Sequence, residues 1–172
     1  NIEGGLKRKE KVVEGFRKMG DENKAARSIG GCIKWYARKG DFDKAQSAIN
    51  DYETHSGFFM ENGKAKPGKE SYYSIKGTYF LGKEEMDSAE HYFRKLLNNS
   101  SVKNQHLAAW GLSQLFKRQE ISDSVAKYAY MGDILGDTLY SEQTAQTLQN
   151  AQAQYNYTRH LEAAHRKELE AK

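Results

Sequence analysis

The amino-acid sequence predicts an all-α protein that is built from consecutive helical hairpins and ends in a long helix. Its 172 residues include a single proline, the residue that interrupts helices because it lacks a backbone N–H donor. Apolar residues recur every three or four positions along most of the chain, and alternating stretches extend over only a few residues. A hairpin pattern also returns at spacings of 44 and 36 residues, which predicts a helical repeat array.

Eight helices are expected from the periodicity and its interruptions. Gly20 and Gly40 break the apolar pattern after the first and second helices, as residues that tolerate a left-handed conformation do. Ser141, followed by Glu142, suits the start of the last helix. The segment 56–68 contains three glycines and the proline, and it is the least helical part of the chain. The expected helices span residues 6–19, 22–39, 42–55, 69–81, 87–97, 102–117, 122–135 and 141–171.

Composition and charge exclude several classes of protein. Hydrophobic residues make up 38% of the chain, and no run approaches the roughly 18 apolar residues of a membrane-spanning helix. The 27 basic and 23 acidic residues are interspersed, which indicates a mixed surface rather than a nucleic-acid-binding arm. The single cysteine, Cys32, excludes an internal disulfide, and we expect it to be a small core residue. Because the first residue is Asn1 rather than Met, we expect a piece of a longer protein.

Three hairpins share one pattern at the start of their second helix. Ala45, Ala89 and Val125 occupy equivalent positions, each two residues after an aspartate. A small residue at this place allows the two helices to approach closely, and an aromatic side chain from the first helix fills the space beside it. The aromatic residues are Tyr36, Phe80 and Phe116, and the residues four positions after the small ones are Ile49, Phe93 and Ala129.

These hairpins resemble tetratricopeptide repeats. The segment 40–45 is similar to that family's turn between first and second helices, and Leu112, Ser113 and Phe116 match its leucine, small and aromatic positions. The chain departs from the family pattern at Ile33, where a small residue is usual. It also departs at Glu84 and Glu120, which stand in place of the glycine of the turn.

The resemblance implies a right-handed superhelix of helical hairpins with a long C-terminal helix. Its repeats would lie at about residues 26–57, 70–101 and 106–137, with a leading helix at 6–19 that corresponds to part of an earlier repeat. We therefore expect a repeat array over residues 1–140 and a long C-terminal helix over residues 141–172.

A narrower resemblance links the chain to membrane-bound regulators of Bacteroidetes. It rests on the segments 71–77, 86–97, 122–129 and 155–160, the last of which is followed by a charged helix. It implies a periplasmic sensor whose last helix is a stalk, followed by a membrane span and a histidine kinase or helix-turn-helix output domain. The alternative is a free-standing, cytoplasmic adaptor whose charged helix solubilises the end of the array. The chain beyond Lys172 would distinguish the two.

The sequence predicts no catalytic, cofactor-binding or metal site, and so no enzyme. The segment 63–70 falls short of a phosphate-binding loop, because Glu70 replaces the required hydroxyl and no strand precedes it. His160 and His165 are five residues apart, so they diverge on a helix instead of sharing a face as a metal-binding pair does. We expect the segment 63–70 to be a surface loop and both histidines to be exposed.

The predicted function is non-catalytic protein–protein interaction in signalling, with a partner bound in the groove that first helices line in tetratricopeptide arrays. Trp110 is a candidate anchor for a peptide side chain, although it could instead pack against the next or the last helix. The basic groove residues indicate an acidic or carboxylate-bearing partner, or else a solvated basic face. The residues assigned to the groove are Arg27, Lys34, Arg38, Ser74, Thr78, Trp110, Gln114, Lys117 and Arg118.

Four further expectations concern partners and cofactors. The C-terminal helix offers a surface for a homodimer, and contact with a membrane is expected only through a segment outside this chain. No cofactor is expected. Nucleic-acid binding is the less favoured alternative, because the positions that would read bases in an RNA-binding helical repeat vary without pattern.

Overall fold

The computed structural model describes residues 2–99 and 101–170, and within them the chain is helical apart from short turns and the loop 56–71 between α3 and α4. The all-α class is therefore confirmed. No described helix is both long enough and apolar enough to cross a membrane. The helices are α1 (Ile2–Lys18), α2 (Glu22–Lys39), α3 (Phe42–His55), α4 (Tyr72–Gly82), α5 (Met86–Leu97), α6 (Val102–Arg118) and α7 (Ser122–Glu170).

Helices α2 and α3 begin and end where the sequence predicts. Each begins after an aspartate whose carboxylate accepts a hydrogen bond from a backbone N–H of the first turn: Asp21 from Lys24 at 3.0 Å, and Asp41 from Lys44 at 3.3 Å. Gly40 ends α2 with a φ of 76°. Strong capping residues at both ends thus fix the bounds of α2 and the start of α3.

The prediction of two helices over 122–135 and 141–171 is wrong, because α7 is continuous from Ser122 to Glu170. Gly136 does not interrupt it. The imidazole of His106 in α6 lies against that glycine, where an added Cβ would be 3.3 Å from the ring. His106 Nδ1 is also 2.9 Å from the carbonyl oxygen of Gly132. Gly136 therefore lies where His106 of α6 packs closely on α7, and it does not end the helix.

The seven helices are arranged in two layers. α2 packs against α4 and α4 against α6, so these three form one layer. α3, α5 and α7 form the other layer, each packed against the helix that precedes it along the chain, and α5 also contacts α6. α1 packs against α2. Short turns make the pairs α2–α3, α4–α5 and α6–α7 antiparallel hairpins.

Phe93 of α5 joins three helices through two glycines. A Cβ built on Gly77 of α4 would lie 2.6 Å from the Phe93 ring, and one on Gly111 of α6 would lie 2.3 Å from it. Both distances are far below van der Waals contact, so only glycine admits the ring at this depth. Gly30 of α2 receives Tyr52 of α3 in the same way, with an added Cβ 2.4 Å from that ring.

The equivalent positions of the three hairpins are packed unequally. Ala45 and Ala89 are fully buried, as predicted, and Val125 is half-buried. Ala129 is exposed, unlike Ile49 and Phe93 at the equivalent positions. The physical reason is that its counterpart Phe93 is covered by the following hairpin, whereas no further hairpin follows α7 within the described residues.

Four hairpin turns share one geometry although only two contain glycine. Gly20, Gly40, Glu84 and Glu120 have φ values of 73°, 76°, 63° and 59°. In each turn the N–H of the following residue donates to a carbonyl five positions back, as from Glu85 to Phe80 and from Asp41 to Tyr36. This is the Schellman arrangement, which favours glycine because a Cβ is strained at positive φ.

We therefore predict that Glu84→Gly stabilises the protein by about 1 kcal/mol, since it relieves the strain of an exposed glutamate in the left-handed region. The reverse substitution Gly40→Glu is the matched control. No atom lies within 4 Å of a Cβ added at Gly40, so only the backbone penalty applies, and stability should fall by a similar amount. Urea unfolding of both variants measures the changes, and equal stabilities would contradict the assignment of strain.

Candidate functional site

A groove runs across the layer formed by α2, α4 and α6. It consists of two neighbouring cavities, of about 310 and 300 Å³, that share Arg38. The first is lined by Ala37, Arg38, Gly40, Phe42, Thr78, Leu81, Gly82, Trp110, Gln114 and Arg118. The second is lined by Gly30, Gly31, Lys34, Trp35, Arg38, Ser71, Ser74, Ile75, Lys103 and Leu107.

Two tryptophans and one arginine form the centre of the groove. The guanidinium of Arg38 lies 5.6 Å from the ring centroid of Trp35 and 5.9 Å from that of Trp110, so a single cation faces one aromatic side chain from each cavity. Trp110 is 45% exposed and lines the first cavity. The alternative that Trp110 is packed away between helices is therefore not the arrangement observed.

Ser74 and Thr78 lie on the floor of the groove and are almost fully buried. Ser74 Oγ donates to the carbonyl of Ser71 at 2.9 Å, and Thr78 Oγ1 donates to the carbonyl of Ser74 at 2.8 Å. Lys34 Nζ in turn donates to Ser74 Oγ at 3.1 Å. Both hydroxyls thus donate to the helix backbone, and that of Ser74 also holds the Lys34 ammonium group at the wall of the second cavity.

The groove carries an excess of positive charge. Its lining includes Lys34, Arg38, Lys103 and Arg118 but no acidic residue, and no ion pair among the described residues involves any of these four. Burial, assisted by the neighbouring charge of Arg38, lowers the pKa of Lys34. A cation that is partly desolvated and has no carboxylate partner is an attractive site for an anionic group.

Lys76 of α4 lies on the same layer of helices and, unlike Lys34, has a carboxylate partner. Its Nζ lies 2.7 Å from Glu53 Oε1, to which Tyr72 also donates at 2.8 Å. The hydrogen bond and charge of Glu53 raise the pKa of Lys76 against the opposing effect of burial. Lys34 and Lys76 are therefore chemically different, although both are partly buried.

The remaining predicted groove residues divide into two groups. Gln114 and Arg118 line the first cavity, and Arg118 Nη1 donates to the carbonyl of Leu81 at 2.6 Å. Arg27 and Lys117 line neither cavity. Arg27 instead donates to the carbonyl of Ser56 at 2.8 Å and lies 4.9 Å from the Phe58 ring, so it anchors the loop that follows α3.

That loop is an ordered element held by backbone and aromatic contacts. Phe59 pairs with Ala65 in an isolated antiparallel bridge, and the Phe59 ring packs edge-on against Tyr52 and Tyr72. Elsewhere, Cys32 is fully buried and burial raises the pKa of its thiol, as expected for a core residue. Among the described residues no cluster of side chains has the composition of a metal site.

Sequence reasoning missed Trp35 and Lys103, which both line the second cavity. Trp35 follows Lys34 and precedes Arg38 by three residues, so helical spacing from Arg38 could have identified it. Lys103 lies in the first turn of α6, before the segment in which the repeat pattern is recognisable. No sequence signal marks that lysine.

Comparison with known proteins adds no assignment. No protein-family model matches the chain, and neither a curated protein nor a solved structure matches it. The functional argument therefore depends on the groove itself.

We predict that Lys34→Met raises the free energy of unfolding by about 1 kcal/mol, because it removes a desolvated cation that lacks a carboxylate partner. In the native chain the pKa of Lys34 is lower in the folded than in the unfolded state. Between these two pKa values the unfolded state binds more protons than the folded state, so the free energy of unfolding rises with pH. The variant should lose that rise.

Lys76→Met is the matched control, and it should lower the free energy of unfolding because it leaves Glu53 without its ion-pair partner. Urea unfolding across alkaline pH measures both variants. Destabilisation by Lys34→Met comparable to that by Lys76→Met would show that Lys34 has a structural role.

Proposed function

We propose that this chain is a non-catalytic protein-interaction module that binds an extended, acidic peptide in the groove. The observation that carries the proposal is the groove's lining, which combines four basic side chains without acidic neighbours with the exposed Trp110 and the half-buried Trp35. Tryptophan and arginine are enriched among the residues that dominate protein interfaces. Carboxylates of the peptide would pair with Lys34 and Arg38, while an apolar side chain would contact Trp110.

We further propose that the array is a tetratricopeptide superhelix with a right-handed sense. Two features support this interpretation. The first helices of successive hairpins are neighbours in one layer, and the hairpin turns repeat the same geometry at Gly40, Glu84 and Glu120. Under this proposal the groove is the inner surface of the superhelix, the surface that the family uses for peptides.

Two alternatives remain for the kind of protein to which this module belongs. In the first, the chain is the periplasmic sensor part of a membrane-anchored regulator and α7 is its stalk, which the exposure of residues 141–169 would suit. In the second, the chain is a free-standing adaptor and α7 serves another purpose. Peptide binding in the groove is compatible with both.

Peptide selection followed by calorimetry tests the proposal. Random twelve-residue peptides are displayed on phage, and the selected sequences are expected to be rich in aspartate or glutamate. With the selected peptide, Arg38→Ala and Trp110→Ala should each weaken binding by about 1–2 kcal/mol, that is, roughly 5- to 30-fold. Lys11→Ala, a removal of positive charge from the exposed surface of α1, should leave the affinity unchanged.

Two results would contradict the proposal. One is a selected pool without acidic residues. The other is equal weakening by Arg38→Ala and Lys11→Ala, which would indicate attraction to the net charge of +4 rather than binding in the groove.

A further inference from the structure

Helix α7 has two apolar faces. One is covered by α6 in the N-terminal part of the helix only, since Tyr157 and Leu161, which lie on the same side as Tyr128, are 65% and 53% exposed. The other is uncovered along its whole length. The covered face packs on α6 through residues that include Tyr128, which is buried and stacks on Phe116 with ring centroids 5.5 Å apart. The uncovered face, here called the α7 stripe, lies about half a turn away around the helix. It consists of Tyr130, Ile134, Tyr140, Leu148 and Tyr155, which are 49–73% exposed.

Among the described residues, no other helix covers the distal part of α7. Every residue from 141 to 169 is exposed. A helix that lacks tertiary packing is marginal in water, because most helical stability in proteins comes from burial of an apolar face. A helix that is apolar on opposite faces is typical of one that is covered on both. The α7 stripe therefore needs a partner.

Charges on the stripe's side of the helix identify the partner. Asp133 and Asp137 lie between the apolar residues of its N-terminal half, and Arg159 and Arg166 lie at its C-terminal end, all four exposed. With 3.6 residues per turn, these side chains fall on the same side of α7 as Leu148. Glu162, which is also exposed, falls on this side of α7 too, so the C-terminal end carries two arginines and one glutamate. The stripe is thus net negative at its N-terminal end and net positive at its C-terminal end, a distribution that complements itself when reversed.

We infer that the chain forms an antiparallel homodimer in which the α7 stripes of two copies pack together about a twofold axis at Leu148. Asp137 and Arg159 lie eleven residues from Leu148 in opposite directions, so each faces the other across the interface, and the pair occurs twice. Tyr130 and Arg166 are each eighteen residues from Leu148, which brings a guanidinium to the exposed ring of Tyr130. Because a C2 interface is isologous, each contact is made twice.

A parallel pair is disfavoured by the same residues. In that arrangement Asp137 would face Asp137 and Arg159 would face Arg159, and like charges directly opposed are destabilising. In the antiparallel pair each copy's repeat array extends away from the shared stripe, because α6 covers the opposite face of α7. This inference does not rest on the groove, and it favours the free-standing adaptor, since two anchored stalks would run parallel.

Analytical ultracentrifugation of the full chain tests the association. The expected species has twice the chain mass of 19.6 kDa. Leu148→Arg should weaken the dimer by about 100-fold or more, because it places a charge on the twofold axis. Gln149→Arg, an exposed change beside the stripe, should not weaken it. Circular dichroism checks that both variants keep the folded array, and a wild-type chain that stays monomeric at about 100 μM would overturn the inference.

A charge exchange tests the antiparallel direction. Asp137→Arg and Arg159→Asp should each weaken the dimer by about 10-fold, because each creates like-charge pairs at two symmetric places. The double variant should recover the wild-type affinity. The two residues are about 33 Å apart on one straight helix, so recovery cannot arise within a single chain. Failure of the double variant to recover would exclude the proposed register.

Spin-label distances provide an independent measure of direction. Cys32 is fully buried, so labels attach to Gln149→Cys or Lys167→Cys in the folded chain. In the antiparallel dimer the two residue-149 labels should be about 10 Å apart, and the two residue-167 labels about 57 Å apart along the axis. Short distances at both positions would show a parallel dimer and overturn the inference.

Discussion

The whole arrangement depends on the insertion of one aromatic ring, Phe93, between two glycines. Gly77 and Gly111 leave no room for a Cβ, so α4, α5 and α6 meet at a depth that larger residues would prevent. Because α5 is held against both first helices, α4 and α6 become direct neighbours. The same device at Gly30 and Tyr52 joins α2 to α3. The layer of α2, α4 and α6 follows from these contacts, and with it the groove.

The groove contains a partly buried cation that has no carboxylate partner. By contrast, the partly buried Lys76 outside the groove is compensated by Glu53. In the groove, Lys34 is desolvated, has only a hydroxyl as its partner and lies close to Arg38. Such an arrangement costs folding free energy that better pairing would recover. The simplest physical account is that an anionic ligand supplies the missing partner.

Local signals made much of the fold predictable. Asp21, Asp41 and Gly40 mark helix ends by their own chemistry, and they set the bounds of α2 and the start of α3 correctly. The features that local signals do not predict depend on contacts between distant parts of the chain. Gly136 suggests a helix end in the sequence, but it remains helical because His106 of another helix occupies the space beside it. Ala129 matches the repeat pattern yet is exposed, because the pattern does not indicate whether another hairpin covers the last one.

The site was predictable where the repeat pattern applies and unpredictable elsewhere. Arg38 and Trp110 lie in the groove as expected from their places on first helices. Arg27 does not, because its interaction with Phe58 depends on a loop whose conformation no repeat specifies. The opposite charges at the two ends of the α7 stripe share one helix face only because α7 is continuous. Two separate helices would not align Asp137 with Leu148 and Arg159.

The groove assignment can be tested most directly through its two tryptophans, which are the only two in the chain and line different cavities. The measurement is the ¹⁵N–¹H spectrum of the indole groups during titration with a peptide rich in glutamate. Our account predicts that the signals of both Trp35 and Trp110 shift and saturate at the same peptide concentration. Saturable binding by calorimetry without movement of either indole signal would place the ligand elsewhere and contradict the account.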